Sequence, residues 1–145
     1  MAAMLLVDVN VLVYAFREAA PDHKLYARWL EDCVNSDQPF GISDLVLAGF
    51  VRAATHPKVF DPPSPPEAAL RFAETLRTQP NCVNVSPGPR HWDIFTRLCR
   101  TARTKGNLVS DAYFAALAIE SGNEWITADR DYSRFPGLRW RHPLA

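Results

Sequence analysis

The sequence predicts an α/β domain in which a mostly parallel central sheet is flanked by helices on both sides. Three observations predict it. Short apolar runs of strand length, MLLV, FGI, CVNV and EWIT, are spread along the chain. Between them lie longer segments whose apolar residues recur at three- and four-residue intervals, as in amphipathic helices. Strands that alternate with helices need right-handed crossovers, which make neighbouring strands parallel and cover both faces of the sheet. With 145 residues the chain is expected to form one domain, residues 1–145.

The elements follow in order. Met4 to Val7 is a continuous apolar run, as expected for a strand buried on both faces, and Asp8 stands at its C-terminal end. From Asp22 to Asn35, Leu25, Tyr26, Trp29, Leu30 and Cys33 form one helical stripe, with Asp22 placed to cap it. FGI leads into SDLVLAGFVRAATHP, a more buried helix with Ser43 as N-cap and Pro57 as the stop signal. DPPSPPE, Asp61 to Glu67, is a stiff connector, and its end opens the next helix as an S-x-x-E capping box of Ser64 and Glu67 with Pro65 at the first helical position. CVNV is the next strand. The helix after it is expected to bury Trp92, Phe95, Leu98, Cys99 and Ala102. SDAYFAALAIESG is apolar nearly all round, so it belongs inside, opened by Asp111 and closed by Gly122. EWIT is a strand, ADRDYSRFPG is rich in turns, and LRW is a last short strand.

Bulk properties exclude several classes. Hydrophobic content of 48% and charged content of 22% rule out a disordered chain. Lys plus Arg equals Asp plus Glu at 16 each, so any attraction to phosphate must be local. Cys33, Cys82 and Cys99 are odd in number and lack a C-x-x-C pair, which reads as free thiols in a reducing compartment. The apolar runs AYFAALAI and LVLAGFV are too short to span a membrane, and no basic leader precedes the first strand, so a cytoplasmic protein with no membrane partner is expected. No G-x-G, G-K-[ST] or G-x-S-x-G occurs, which disfavours nucleotide-cofactor and serine-hydrolase chemistry.

The chemistry-bearing feature is an acid inside the most apolar N-terminal stretch, LLVDVNVLVYAF. A buried carboxylate costs several kcal/mol unless something compensates it. Asp111 and Asp129 also adjoin apolar elements, and each can be read simply as a cap or turn acid. Taken together, the three point to a shared site, because carboxylates brought close repel one another unless a cation sits among them. An all-oxygen set suits Mg²⁺ or Mn²⁺, with Asn10 and Thr127 as neutral groups that orient ligands. Such a site suits phosphate chemistry. Arg97, Arg100 and Arg103 recur every three residues, and Arg130 with Arg134, Arg139 and Arg141 forms a second basic group. Either set could track a polyanion's backbone, and either reads equally as a solvated face.

The stretches LLVDVNVLVYAF, ISDLVLAGFVRAATHPKVF and VSDAYFAALAIESGNEWITADRDYSRFPGLRW resemble the successive signatures of the PIN domain, and specifically of VapC-type toxins. Singly the motifs D-x-N, S-D-A and T-x-D-R-D-[YF] are weak; in combination they are specific. The resemblance implies an α/β/α sandwich, a homodimer, Mg²⁺- or Mn²⁺-dependent endoribonuclease activity on RNA, and a cognate VapB-type antitoxin. It places family acids on Asp8, Asp111 and Asp129, with Asp131 as an auxiliary. A family Glu is missing: Gly49 holds its position, and Asp44, five residues earlier, is the substitute within reach of the same helix. Two other readings stay open. One is an aspartate-nucleophile phosphatase, for which the required second acid is replaced by Asn10. The other is a degenerate PIN domain that binds RNA or a protein without cutting.

Overall fold

The computed structural model describes residues 3–145. Its elements are β1 (Leu5–Val7), α1 (Val9–Phe16), α2 (His23–Asn35), β2 (Phe40–Ile42), α3 (Asp44–Ala54), α4 (Pro66–Arg77), β3 (Cys82–Asn84), α5 (His91–Ala102), α6 (Asn107–Ser121) and β4 (Glu124–Ile126). A 3₁₀ turn (Arg130–Arg134) and β5 (Trp140–Arg141) complete the chain. The five strands pair in the order β3-β2-β1-β4-β5, and every pairing is parallel. The α/β class expected from the sequence is therefore the one observed.

The strand order explains where a site can form. From β1 the chain builds outward through β2 to β3, then returns to lay β4 on the other side of β1. At such a switch point the connections leave in opposite directions and open a crevice beyond the carboxyl ends of the two central strands. Leu6 and Val7 of β1 and Trp125 and Ile126 of β4, at the carboxyl ends of those strands, are wholly buried. Any polar group at their ends is thus held against a rigid apolar floor.

Several local expectations hold. Ser43 caps α3, its Oγ accepting from the Leu45 amide at 3.2 Å. Gly122 closes α6 in the left-handed region at φ 71°, where a side chain would be strained. The three cysteines are free, although half-buried rather than fully enclosed.

Others are corrected. Asp22 stands before α2 with a left-handed backbone, φ 57°, in place of the extended one a capping residue takes, and its side chain makes no capping hydrogen bond. Ser64 and Glu67 form no capping box. The helix starts at Pro66, and Ser64 Oγ instead accepts from the Arg17 guanidinium at 2.9 Å, which ties the proline connector to the end of α1. On α5 the fully buried residues are His91, Ile94 and Leu98, while Phe95, Cys99 and Ala102 pack half-buried against the core; of the expected stripe only Trp92, 65% exposed, leaves it. Glu120 on α6 holds the segment that leads into this helix. Glu120 Oε1 accepts from the Gly88 amide at 2.7 Å and Oε2 from the Arg90 amide at 2.9 Å. Finally, α6 begins at Asn107, so Asp111 sits in its second turn rather than at its opening. Among the described residues, no helix is long and apolar enough to cross a membrane.

Candidate active site

Asp8 leaves β1 and Thr127 leaves β4, so the two face each other at the head of the crevice. The Asp8 amide donates to Ile126 O at 2.9 Å, continuing the ladder one step past the strand. Its side chain then turns to cap α1, with Oδ1 accepting from the Val9 amide at 2.6 Å. Oδ2 accepts from the Thr127 hydroxyl at 2.7 Å and from the Asn10 amide at 3.2 Å. Asn10 locks the arrangement across the crevice: its Nδ2 also donates to Thr127 Oγ1 at 3.2 Å, and its Oδ1 accepts from the Ala128 amide at 3.1 Å. The Asp129 amide donates to Thr127 Oγ1 at 3.0 Å. The residues that follow β1 and β4, from Asp8 to Asn10 and from Thr127 to Asp129, thus form one network.

Asp8 is only 4% exposed. Burial pushes its carboxyl up to about 7, against the opposing pull of the Thr127 hydroxyl and the Val9 amide, with the charges of Asp111 and Asp129 adding to the rise. Three donors converge on this carboxylate, a cradle shaped for an anion, yet the anion is still penalised. A hard cation beside it would remove the conflict, and the donor set is all oxygen. In that sense the residues fit a divalent metal ion. Among the described residues, no three Asp, Glu, His or Cys side chains come together as a group that could hold a metal ion, so the fit is one of donor chemistry only.

Asp111, half-buried on α6, is also raised, first by burial and then by Asp129 and Asp131, while the Tyr132 hydroxyl and the charge of Arg134 lower it. Tyr132 is buried and donates to Asp111 Oδ1 at 3.2 Å. Asp129 serves as the N-cap of the 3₁₀ turn, Oδ1 accepting from the Asp131 amide at 2.9 Å. The capping reading therefore holds for Asp129, and its charge nonetheless reaches both Asp8 and Asp111. What the arrangement can do follows from this: a buried carboxylate with two partly buried ones within electrostatic reach attracts a cation, and the charge of Arg134 reaches Asp111 from the side.

The PIN domain family model matches residues 5–138. Ribonuclease VapC43 of Mycobacterium tuberculosis is 45% identical over 141 residues, covering 97% of this chain and 96% of that protein. Ribonuclease VapC25 of the same species is 38% identical over 140 residues, covering 97% and 99%. The chain belongs to the VapC-type PIN-domain family. Solved structures share the fold. VapBC2 of Rickettsia felis, bound to a fragment of promoter DNA, aligns with a TM-score of 0.69 at 17% identity, covering 96% of this chain and 98% of that chain. VapC20 of Mycobacterium tuberculosis, a sarcin-ricin loop cleaving toxin, aligns with a TM-score of 0.64 at 17% identity over 93% and 98%.

For this VapC-type chain the structure gathers Asp8, Asn10, Thr127 and Asp129 into one network and sets Asp111 within electrostatic reach of it. Asp131 is exposed at its edge. Tyr132 was not singled out from the sequence, although its position is the aromatic one of T-x-D-R-D-[YF]. Asp44 is engaged elsewhere: Arg77 Nε donates to it at 2.8 Å and Asn84 Nδ2 at 2.7 Å, which holds its carboxyl below the usual range. Arg97, Arg100 and Arg103 are exposed at the end of α5, and Arg134, rather than Arg130, is the arginine whose charge reaches Asp111.

Gly49 faces α1. A Cβ there would meet Val9 Cγ2 at 3.1 Å, one residue from Asp8. A Glu in that place would stand against Val9, the residue that follows Asp8, once the Val9 methyl shifts slightly. We expect Gly49→Glu to tighten Mn²⁺ binding by roughly 3- to 10-fold, because each added carboxylate strengthens a hard-cation site. Calorimetric titration checks this, and unchanged or weaker binding counts against a metal at this end of the sheet.

Proposed function

We propose that this chain is a divalent-metal-dependent endoribonuclease, the toxin of a type II toxin–antitoxin pair. Its proposed cofactor is Mg²⁺ or Mn²⁺ and its proposed partners are a cognate VapB-type antitoxin and a second copy of the chain. The observation that carries the reading is the Asp8 cradle: a carboxylate held by three donors, buried, and still raised to about 7 beside two further acids. The ribonuclease relatives and the VapBC complexes support it.

Asp8, Asp111 and Asp129 would hold the ion. When bound, it would supply Lewis acidity toward a phosphodiester and lower the pKa of a nearby water. The chain's own groups do the rest. Thr127 and Asn10 both donate to Oδ2 of Asp8 while Oδ1 accepts only from the Val9 amide, so Oδ1 keeps the freer lone pair. Tyr132 fixes Oδ1 of Asp111 and leaves Oδ2 unencumbered. Arg134 offers positive charge to the backbone of the RNA. Asn10 stands where a general acid would be needed, and a carboxamide does not give up a proton near neutral pH, which argues against the aspartate-nucleophile phosphatase alternative.

The test is RNA cleavage by the antitoxin-free protein in Mg²⁺, in Mn²⁺ and in EDTA. The expected outcome is cutting in either metal and none in EDTA. Cutting that persists in EDTA removes the metal from the reading. A folded protein that cuts none of a panel of structured RNAs in either metal points to the degenerate binding domain.

A further inference from the structure

Of the three acids, Asp111 is the one that the network beyond β1 and β4 does not hold. Asp8, Asn10, Thr127 and Asp129 are joined to one another by hydrogen bonds, and none of those bonds reaches α6. Among the described residues, a single hydrogen bond crosses between α6 and the segments that carry the other two acids: the Tyr132 hydroxyl donates to Asp111 Oδ1 at 3.2 Å. It is also the one hydrogen bond that the Asp111 carboxylate makes there.

Tyr132 is built as a tether. Its ring is 2% exposed and packs against Trp125 of β4 and against Phe135, with centroids 5.6 and 5.9 Å away. Its backbone belongs to the 3₁₀ turn that Asp129 caps through the Asp131 amide, and its own amide donates to Asp129 O at 3.4 Å. A residue anchored to the turn of Asp129 thus reaches across to the helix of Asp111. The packing needs no hydroxyl, since a phenylalanine ring would fill the same space. Buried as it is, that hydroxyl has Asp111 as its one partner among the described residues, and an ionised carboxylate can only accept, so the direction of the bond is fixed.

The tether matters because no three acidic side chains among the described residues come together closely enough to hold an ion by themselves. The charge of Asp111 nonetheless reaches Asp8, and that of Asp129 reaches Asp111. Where the Asp111 carboxylate is held therefore decides whether the ion finds a third ligand, and a side chain free to turn would have to be ordered at an entropic cost when the ion binds.

We infer that Tyr132 is a positioning residue for the metal, its hydroxyl fixing the Asp111 carboxylate for the ion that Asp8 and Asp129 share with it. It touches neither the ion nor the RNA and acts through Asp111. This rests on the divalent-metal ribonuclease reading of the site.

The test compares antitoxin-free wild type with Tyr132→Phe, which keeps the ring and removes the hydroxyl, and with Phe135→Leu, which loosens the packing of that ring and keeps the hydroxyl. Each is melted in EDTA, titrated with Mn²⁺ by calorimetry, titrated with RNA in EDTA, and assayed for RNA cleavage across a range of Mn²⁺ concentrations. Tyr132→Phe is expected to melt close to wild type, because a bond of 3.2 Å is longer than the roughly 2.5–2.7 Å of a strong hydroxyl–carboxylate pair. It should bind Mn²⁺ about 10- to 100-fold more weakly and need correspondingly more of it for half-maximal cleavage, with RNA affinity in EDTA and KM at saturating Mn²⁺ unchanged. Phe135→Leu should melt lower and bind Mn²⁺ nearly as wild type does. Unchanged Mn²⁺ affinity in Tyr132→Phe, with wild type still binding Mn²⁺ and cutting, overturns the positioning role and leaves the ribonuclease reading intact. Equal weakening of Mn²⁺ binding in both variants overturns it in favour of packing alone. Weaker RNA binding in EDTA with Mn²⁺ affinity unchanged overturns it in favour of a contact between the hydroxyl and RNA. If wild type neither binds Mn²⁺ nor cuts RNA, the metal reading fails and the positioning role with it.

Discussion

Asp111→Asn should reduce RNA cleavage in Mn²⁺ by at least about 100-fold, since even groups that only orient a metal ligand are worth 10–100-fold. The same variant should be as stable as wild type at neutral pH, or slightly more so. The two outcomes have one cause. Asp111 is raised by burial and by the charges of Asp129 and Asp131, so its ionised form is a liability to the fold. Asparagine keeps the size and keeps an oxygen to accept from Tyr132, which holds the present side chain at 3.2 Å. What it removes is a negative charge that the fold does not want and a cation would. Cleavage assays beside thermal melts check both parts. Equal activity would remove Asp111 from the site, and a large loss of stability would mean that its charge serves the fold.

The central strands were legible in the sequence because a parallel strand covered on both faces is apolar where it is buried, as Leu5, Leu6 and Val7 are in one and Trp125 and Ile126 in the other. Asp8 and Thr127 were legible for the same reason, as polar groups standing directly after such runs. The helix α1 was not, because Val9, Val11 and Val13 alternate as in a strand and their helical form is imposed by packing against α2 and α3. Local chemistry also misled where a distant partner intervened. Ser64 and Glu67 have the spacing of a capping box, and Arg17 claims the serine. Asp44 counts as an available acid until Arg77 and Asn84 are seen to hold it.

On α5 the helical stripe was legible at Phe95, Leu98, Cys99 and Ala102, which pack in or against the core, and failed at Trp92 in the first turn, which the sequence alone reads as core and which is 65% exposed. Tyr132 was hidden for a different reason. An aromatic in a turn-rich segment looks like filler, and only the fold shows its hydroxyl against Asp111.

The second large effect is expected in the stability of the metal-free protein. With EDTA present, wild type should lose stability as pH rises from about 4 to about 7 on account of Asp8 and then level off in that contribution. The sign follows from linkage: between the ordinary value of 3.8 and the folded value of about 7, the unfolded carboxylate has lost its proton and the folded one retains it, so raising the pH favours unfolding. The loss amounts to at most about 4 kcal/mol, at 1.36 kcal/mol per pK unit. Asp8→Asn removes this slope. It also brings a penalty that does not change with pH, because an amide cannot accept from Val9, Asn10 and Thr127 together as the carboxylate does. The comparison that counts is therefore the change in denaturation midpoint between pH 5 and pH 8, measured for both proteins. That change should be much smaller in Asp8→Asn. At pH 8, Mn²⁺ at a hundredfold excess over its Kd should return about 2.7 kcal/mol to wild type and almost nothing to the variant. Parallel pH slopes would mean that Asp8 does not titrate as its burial demands, and equal stabilisation of both proteins by Mn²⁺ would place the ion elsewhere.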